Sequence, residues 1–202
     1  MSSFIGHGLA AVTISEAIAP NRRPFLSRGR SLLWLGWLII IAWAPDIDYA
    51  VPALTMAQNE GARITHGIPS SLLLPSVTVV GLFLAGLRGQ KFCICAWQAI
   101  LAGLSHPVMD WFVGVIALPL FWPLNSVLVK SPIGLLPSAG KPHWQNYFFY
   151  KNLLIELGIL VPLVILFLRN LAWQKNKLSR WKTMMLIAIL TYSLNISVSL
   201  SR

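Results

Sequence analysis

The chain has 202 residues, of which 56% are hydrophobic and only 11% charged, and its mean hydropathy is +0.68. Soluble globular domains carry about 25% charged residues, so this composition excludes an ordinary water-soluble protein and predicts a membrane-embedded one. The net charge of +10 does not indicate a nucleic-acid partner, because the basic residues lie in short loops between apolar runs, where they would orient a membrane protein. The length suits a single domain over residues 1–202.

Six apolar segments predict an all-α fold, a polytopic integral membrane helix bundle of about six spans. In chain order they are Phe4–Ala19, Ser31–Ala44, Ile68–Leu87, Phe92–Leu120, Leu153–Leu168 and Thr183–Leu200. Several are shorter than the ~20 residues that a full crossing needs, which predicts tilt, local bilayer thinning or buried non-helical ends. The fourth is long enough to be tilted or broken. The first lacks a basic start and a cleavage site, so a signal peptide is not expected.

The segment Phe121–Lys151 is the one long connection in this pattern. It is rich in proline and glycine, which predicts an irregular loop. Trp122 and Trp144 are typical of aromatic residues at a membrane interface. The two cysteines, Cys93 and Cys95, lie within an apolar run without a second cysteine pair, so we expect them to pack in a helix rather than form a disulfide or a thiolate metal site.

Basic residues are concentrated in the loops after the first, third and fifth segments. They are Arg22, Arg23, Arg28, Arg30, Arg88, Lys91, Arg169, Lys175, Lys177, Arg180 and Lys182. With six spans these loops share one side of the membrane, which the positive-inside rule predicts to be cytoplasmic. Both termini, Thr55–His66 and Phe121–Lys151 are then expected outside.

Three of the six acidic residues occur with histidines in or beside apolar segments. Asp46 and Asp48 form A-P-D-I-D-Y, His106 and Asp110 form G-L-S-H-P-V-M-D-W, and His66 ends R-I-T-H. An ionisable group in a membrane segment is costly unless it is paired, hydrated or bound to metal. All of these residues fall at or toward the predicted outer face. The pattern therefore predicts a metal site near that face.

These candidates also have ordinary structural interpretations. His106 and Asp110 are one helical turn apart, so they could form a buried hydrogen bond instead of binding metal. Pro107 between them is usually tolerated only near a helix start. We expect Asp46 and Asp48 to lie in an extended turn after a proline, where one binds metal and the other bridges or holds water. The alternative is a solvated loop that caps a helix end.

Four further residues are weaker candidates. His7, near the outer start of the first segment, is a predicted ligand, although a histidine there could simply be solvated. His143 in the outer loop could be a ligand or an interfacial anchor. Glu16 and Glu156 could surround the site or lie at the interface, and we do not expect either to be a ligand.

In order and spacing these motifs resemble those of the YdjM-like membrane-bound metal-dependent hydrolases, over about the first 125 residues. That family has an N-terminal histidine, P-D-x-D, R-G-x-T-H-S, S-H-x-x-x-D and a later W-P. The matching residues are His7, Asp46, Asp48, His66, His106, Asp110, Trp122 and Pro123. Two departures are that Arg63 is one position nearer the histidine and that Gly67 replaces the serine. The resemblance implies a metal-dependent hydrolase of the bacterial inner membrane, and a distant likeness to zinc-dependent phospholipases C favours a phosphoester substrate.

Such residues suit one to three divalent ions, with zinc first and manganese next. The ion can lower the pKa of a bound water to about 7 and polarise a phosphoryl or carbonyl oxygen. Asp46 or Asp48 could act as the general base, and Arg63 at the mouth could bind a substrate phosphate. We therefore expect a hydrolase domain that meets membrane lipids and acts on a phosphoester or lipid-like substrate at the outer face.

Two other classes of protein remain open. An ion transporter would need ionisable groups that continue toward the cytoplasmic side, where only Glu16 and loop arginines are available. A membrane protein whose metal merely ties the spans together would have a coordinatively closed site, whereas a catalytic ion keeps an open position.

Overall fold

The computed structural model describes residues 2–19, 27–59, 61–138, 145–171 and 179–200. Over these ranges the fold is all-α, as predicted. The α-helices are α1 (Phe4–Ile18), α2 (Arg28–Trp43), α3 (Ile68–Leu84), α4 (Gly89–Val113), α5 (Tyr147–Leu171) and α6 (Arg180–Ser199). Short 3-10 helices cover Ala44–Tyr49, Pro52–Leu54, Met56–Gln58 and Ile64–His66 between α2 and α3.

The helices differ in their capacity to cross a bilayer. Four described segments are long and apolar enough to do so, namely Arg28–Tyr49, Gly89–Val113, Tyr147–Arg169 and Arg180–Ser199. The α1 and α3 helices are apolar but have only 15 and 17 residues. Since 15 helical residues rise about 22 Å, the α1 helix is shorter than a hydrocarbon core of about 30 Å. Of the predicted segments shorter than ~20 residues, the first is a short helix, whereas the second, fifth and sixth belong to helices that are long enough to cross.

Two predicted boundaries on the fourth and fifth segments were wrong. The α4 helix ends at Val113 rather than Leu120, because Gly114 caps it with a φ of 67°, a left-handed conformation that glycine adopts without steric penalty. The α5 helix begins at Tyr147, so the end of the predicted irregular loop is helical.

The segment with Asp46 and Asp48 also differs from the extended turn that we predicted. It is a 3-10 helix, Ala44–Tyr49, which continues directly from α2. Pro45 lies in its first turn, and because the helix is continuous with α2, the missing N–H leaves the last turn of α2 with one backbone donor fewer.

Pro107 lies well inside α4, although proline is usually tolerated only near a helix start. Its missing N–H leaves the carbonyl of Gly103, four residues earlier, without its usual helical donor. Gly103 packs very closely on α3, since a Cβ there would lie 2.5 Å from both the Ser71 carbonyl oxygen and the Pro75 ring. The close α3–α4 contact therefore depends on glycine at this position.

The α4 helix is central to the bundle. It packs against α1, α2 and α3, while α1 also meets α5, and α6 packs on α5. A core between α1, α2 and α4 includes Cys95, whereas Cys93 is exposed on α4 and both are free thiols. Fully buried Gln98 accepts a hydrogen bond from Trp34 Nε1 at 2.7 Å and donates to the Ser15 carbonyl at 2.9 Å. Alternating helix directions bring the start of α1, the end of α2, the start of α3 and the end of α4 to one end of the bundle.

Candidate metal centre

Five of the six predicted ligands lie together at that end of the bundle. His7 is in the first turns of α1, Asp46 is on the 3-10 extension of α2, and His66 ends the 3-10 helix before α3. His106 and Asp110 are one turn apart near the end of α4. All five side chains are buried, with at most 7% of any residue exposed.

Their donor atoms converge around Asp110. Its Oδ1 is 3.5 Å from His7 Nε2, and its Oδ2 is 3.3 Å from His66 Nε2 and 3.4 Å from His106 Nε2. Asp46 Oδ1 is 3.4 Å from His66 Nε2 and 3.8 Å from His106 Nε2. Two sets of three residues could each hold an ion, with all donor atoms of a set within 4.8 Å of one another. They are His7, His106 and Asp110, and Asp46, His66 and His106.

These separations fit metal ligands better than hydrogen bonds. Hydrogen bonds between nitrogen and oxygen have heavy-atom distances of about 2.7–3.2 Å, shorter than the distances here. Ligand atoms that lie 2.0–2.2 Å from a tetrahedral zinc ion are about 3.3–3.6 Å from one another. The donor set can therefore accommodate a divalent ion.

The same atoms are left without partners inside the protein. Among the described residues, the buried atoms of this cluster that lack a hydrogen bond are His7 Nδ1 and Nε2, Asp46 Oδ1, His66 Nε2, His106 Nε2 and Asp110 Oδ2. Buried polar atoms are nearly always hydrogen-bonded, because leaving them unpaired costs free energy. Cations held by the two sets of residues would therefore give partners to atoms that the protein itself leaves unpaired.

In His106 and His66, the ring nitrogen Nδ1 makes a hydrogen bond to a group outside the cluster of donor atoms. His106 Nδ1 is 2.7 Å from the Ala42 carbonyl, which can only accept, so this nitrogen donates and Nε2 is left to face the aspartates. His66 Nδ1 is 2.9 Å from Thr65 Oγ1. Burial lowers the pKa of His66 well below its ordinary value, and nearby His106 lowers it further, which favours the neutral ring that binds metal. His7 stacks on His106, with ring centroids 3.9 Å apart.

Asp48 and Arg63 are arranged differently from the sequence expectation. Arg63 Nε donates to Asp48 Oδ2 at 2.7 Å, and its Nη2 donates to Asp48 Oδ1. Arg63 is only 4% exposed and lies over the Tyr49 ring, so it is not at an open mouth. Asp48 belongs to neither converging set, because side chains two residues apart on a 3-10 helix point in different directions. The bidentate fit of guanidinium to carboxylate accounts for this pairing.

Gly67, which replaces the serine of the family motif, lies where the chain passes very close to the backbone of a distant segment. A Cβ at this position would lie 2.8 Å from the Pro119 carbonyl oxygen. The next residue, Ile68, donates its N–H to the Leu120 carbonyl at 2.8 Å. Glycine therefore lets the 119–122 backbone pack directly beside the His66 segment.

A cavity of about 390 Å³ lies beside this contact. Trp122, which we predicted as a belt residue, lines it together with Pro119, Gln58 and Asn59. Ile64 also lines it and is two residues before His66 in the same 3-10 helix. The cavity is thus next to the segment that carries one of the candidate ligands.

Sequence reasoning did not identify the role of one buried acid, Glu156. It is fully buried and accepts hydrogen bonds from Ser2 and Ser3. The available signal was that it is the only charged residue in the apolar run 153–168. Glu16, by contrast, is exposed. His143 and Trp144 lie outside the described residues.

Comparison with known proteins gives a family match. No curated protein and no solved structure is significantly similar to the chain. The family model for the YdjM inner membrane protein matches residues 1–200, well beyond the stretch that carries the motifs. Together with its membrane-spanning helices, this match makes the chain an integral protein of the inner membrane. The chain belongs to the YdjM inner membrane protein family.

Proposed function

We propose that this protein is a membrane-bound metal-dependent hydrolase whose His/Asp cluster holds one or more divalent ions. The observation that carries the proposal is the set of buried, unpartnered donor atoms that converge at metal-ligand separations. Imidazole and carboxylate together favour zinc, with manganese the next choice. A divalent ion held there would supply Lewis acidity and a hydroxide nucleophile at neutral pH.

The structure orients several of the proposed ligands toward the candidate centre. His106 is oriented by the Ala42 carbonyl, and His66 by Thr65, as histidine ligands usually are by groups behind the ring. Asp110 turns one oxygen toward His7 and the other toward His66, so this carboxylate would be a ligand together with either histidine. We therefore propose His7, Asp46, His66, His106 and Asp110 as the ligand set.

The two carboxylates of the P-D-I-D motif have separate proposed roles. Asp46 Oδ1 faces His66 and His106, so Asp46 is the carboxylate that would bind the ion or take the proton of the reacting water. Asp48 is bound by Arg63, whose Nη2 is also 3.9 Å from Asp46 Oδ1. We propose that this pair positions Asp46. A phosphate contact by Arg63 would require its bond to Asp48 to open.

We propose a phosphoester or lipid-like substrate that reaches the site at the outer face. Support comes from the cavity beside Ile64, whose lining combines the uncharged polar side chains of Gln58 and Ser126 with the apolar side chains of Pro119 and Leu128. Such a lining suits a molecule that has both polar and apolar parts.

A transporter receives less support than a hydrolase. Apart from the thiol of Cys95, the buried ionisable groups of the described residues lie at the end of the bundle that carries the cluster. Toward the other end, the buried polar side chain Gln98 is uncharged and already paired with Trp34 and Ser15. The described bundle thus offers no relay of ionisable groups beyond the cluster.

A structural metal is the second candidate, favoured by the nearly complete burial of every proposed ligand. Such an ion would tie α1, α4 and the 3-10 helices together without turnover. The two candidates differ in what metal removal does: it abolishes activity in a hydrolase, whereas in a purely structural site it only lowers the melting temperature.

The test uses purified protein in detergent, with metal content measured by mass spectrometry. Hydrolysis of phosphomonoester, phosphodiester and phospholipid substrates is assayed before and after chelation and after zinc or manganese is restored. Asp46→Asn should lower turnover by ~10² or more, because general-base and ligand roles are worth at least that much, whereas exposed Glu16→Gln should not. Protein that contains no metal and binds neither zinc nor manganese would contradict the proposal.

A further inference from the structure

Glu156 lies in the third turn of α5 and is completely buried. Its carboxylate accepts a hydrogen bond from Ser2 Oγ, and the Ser3 N–H lies 3.0 and 3.1 Å from its two oxygens. A carboxylate in an apolar helix is costly unless its oxygens are satisfied. Here the segment that precedes α1 satisfies them.

That segment also contacts the candidate ligands. The Ser2 N–H donates to Asp110 Oδ1 at 2.8 Å, and this is the oxygen that faces His7. Ser3 caps α1, because its Oγ accepts from the Gly6 N–H at 3.0 Å and its carbonyl from the His7 N–H at 3.1 Å. The Glu156 carboxylate thus anchors Ser2 and Ser3. Ser2 in turn contacts Asp110, and Ser3 caps the helical turn that carries His7.

The approach of Glu156 to α1 requires a glycine. A Cβ on Gly6 would collide with Glu156 Oε1 and lie 2.6 Å from Ser2 Oγ. Gly8, two residues along the same helix, has no such restriction, since its Cβ would lie at least 3.9 Å from Trp43. The two glycines therefore form a matched pair for testing this contact.

We propose that Glu156 is a positioning residue of the metal centre, which holds Ser2 and Ser3 against the bundle and thereby sets Asp110 and His7. The inference rests on the proposed function, because it assigns Glu156 a part in metal binding. If Glu156 only stabilised the packing of α1 on α5, its loss would not change how the centre binds an ion. The proposal predicts such a change, although Glu156 itself does not touch the ion.

The experiment compares Glu156→Ala and Gly6→Ala with the controls Glu16→Gln and Gly8→Ala. Zinc affinity is measured by chelator competition, ligand geometry by the visible spectrum of bound Co²⁺, and the α1 cap by hydrogen exchange of the Gly6 and His7 amides in metal-free protein. Both test variants should bind zinc roughly 10- to 100-fold more weakly, as when groups behind metal ligands are lost. They should also change the Co²⁺ spectrum and exchange faster, while the controls match the wild type.

Glu156→Gln provides a rescue, because its amide oxygen still accepts from Ser2 or Ser3, so it should bind zinc more tightly than Glu156→Ala. If Glu156→Ala does not fold, Gly6→Ala tests the same contact with the carboxylate retained. Wild-type zinc affinity, spectrum and amide protection in the test variants would overturn the role of Glu156 and leave the metal centre standing. A wild-type protein that binds neither zinc nor cobalt would overturn both.

Discussion

At the scale of single residues, the two oxygens of Asp110 lie close to three other candidate ligands, His7, His66 and His106. Asp110→Asn keeps the shape but removes the charge and replaces one oxygen with a nitrogen donor. We expect metal content, measured by mass spectrometry on purified protein, to fall to near zero, with Glu16→Gln as the control. Full metal content in Asp110→Asn would show that this carboxylate is not a ligand.

Asp46 and Asp48 should respond in opposite ways to the same substitution. Asp48→Asn leaves the buried guanidinium of Arg63 without its carboxylate, and breaking a buried pair typically costs about 3–5 kcal/mol. We expect Asp48→Asn to lower the melting temperature in detergent while most of the metal stays bound. Asp46→Asn should lose metal, because Asp46 Oδ1 faces two histidines.

A double variant controls for the unpaired charge. Asp48→Asn combined with Arg63→Gln should be less destabilised than the two single variants add up to, because no buried charge is then left alone. Additive effects on the melting temperature would mean that the pair contributes little. Loss of metal in Asp48→Asn alone would instead support the original prediction that Asp48 is a ligand.

At the scale of elements, the 3-10 helix with His66 and the start of α3 depend on close packing at Gly67. Gly67→Ser restores the family residue and adds a side-chain N-cap for α3, which relative to glycine is worth only about a few tenths of a kcal/mol. Its Cβ would nevertheless lie 2.8 Å from the Pro119 carbonyl oxygen, and overpacking of this kind costs about 1–3 kcal/mol. We therefore expect a net loss of thermal stability, on the order of 1 kcal/mol.

Gly81→Ala is the matched control, because a Cβ at that position in α3 meets nothing within 4 Å. Its melting temperature should equal or exceed that of the wild type. If Gly67→Ser raised the melting temperature, the 119–122 backbone would have to move aside at little cost, contrary to the packing described above.

At the scale of the whole molecule, most of the described basic residues lie at the opposite end of the helices from the candidate centre. Described basic residues at the far end include Arg28, Arg30, Arg88, Lys91, Arg180 and Lys182. The positive-inside rule then predicts that the end with the metal centre faces outward.

Cysteine labelling tests this orientation. In a background without Cys93 and Cys95, Gln58→Cys should react with a membrane-impermeant maleimide in intact spheroplasts, and Gln90→Cys only after lysis. Both glutamines are exposed, so they form a matched pair at the two ends. The reverse labelling pattern would place the centre at the cytoplasmic face and change the pool of possible substrates.

The sequence by itself determined the membrane class, the all-α fold and the residues that cluster. Bilayer thickness sets the length of apolar runs, and the cost of a membrane-embedded charge is high whichever fold surrounds it, so both leave a signal in local composition. The ordered motifs were enough to predict the family to which the chain belongs. His106 and Asp110 could be assigned to one face because their spacing matches a helical turn.

Only the tertiary structure decided how the acidic residues divide their contacts. Asp46 faces histidines and Asp48 faces Arg63 because their segment is a 3-10 helix, whereas the sequence had led us to predict an extended turn. Glu156 contacts Ser2 across 154 positions of the chain, and no local pattern records a contact of that range. Local energetics determine which residues need a partner, but the packing of distant helices determines which partner each one meets.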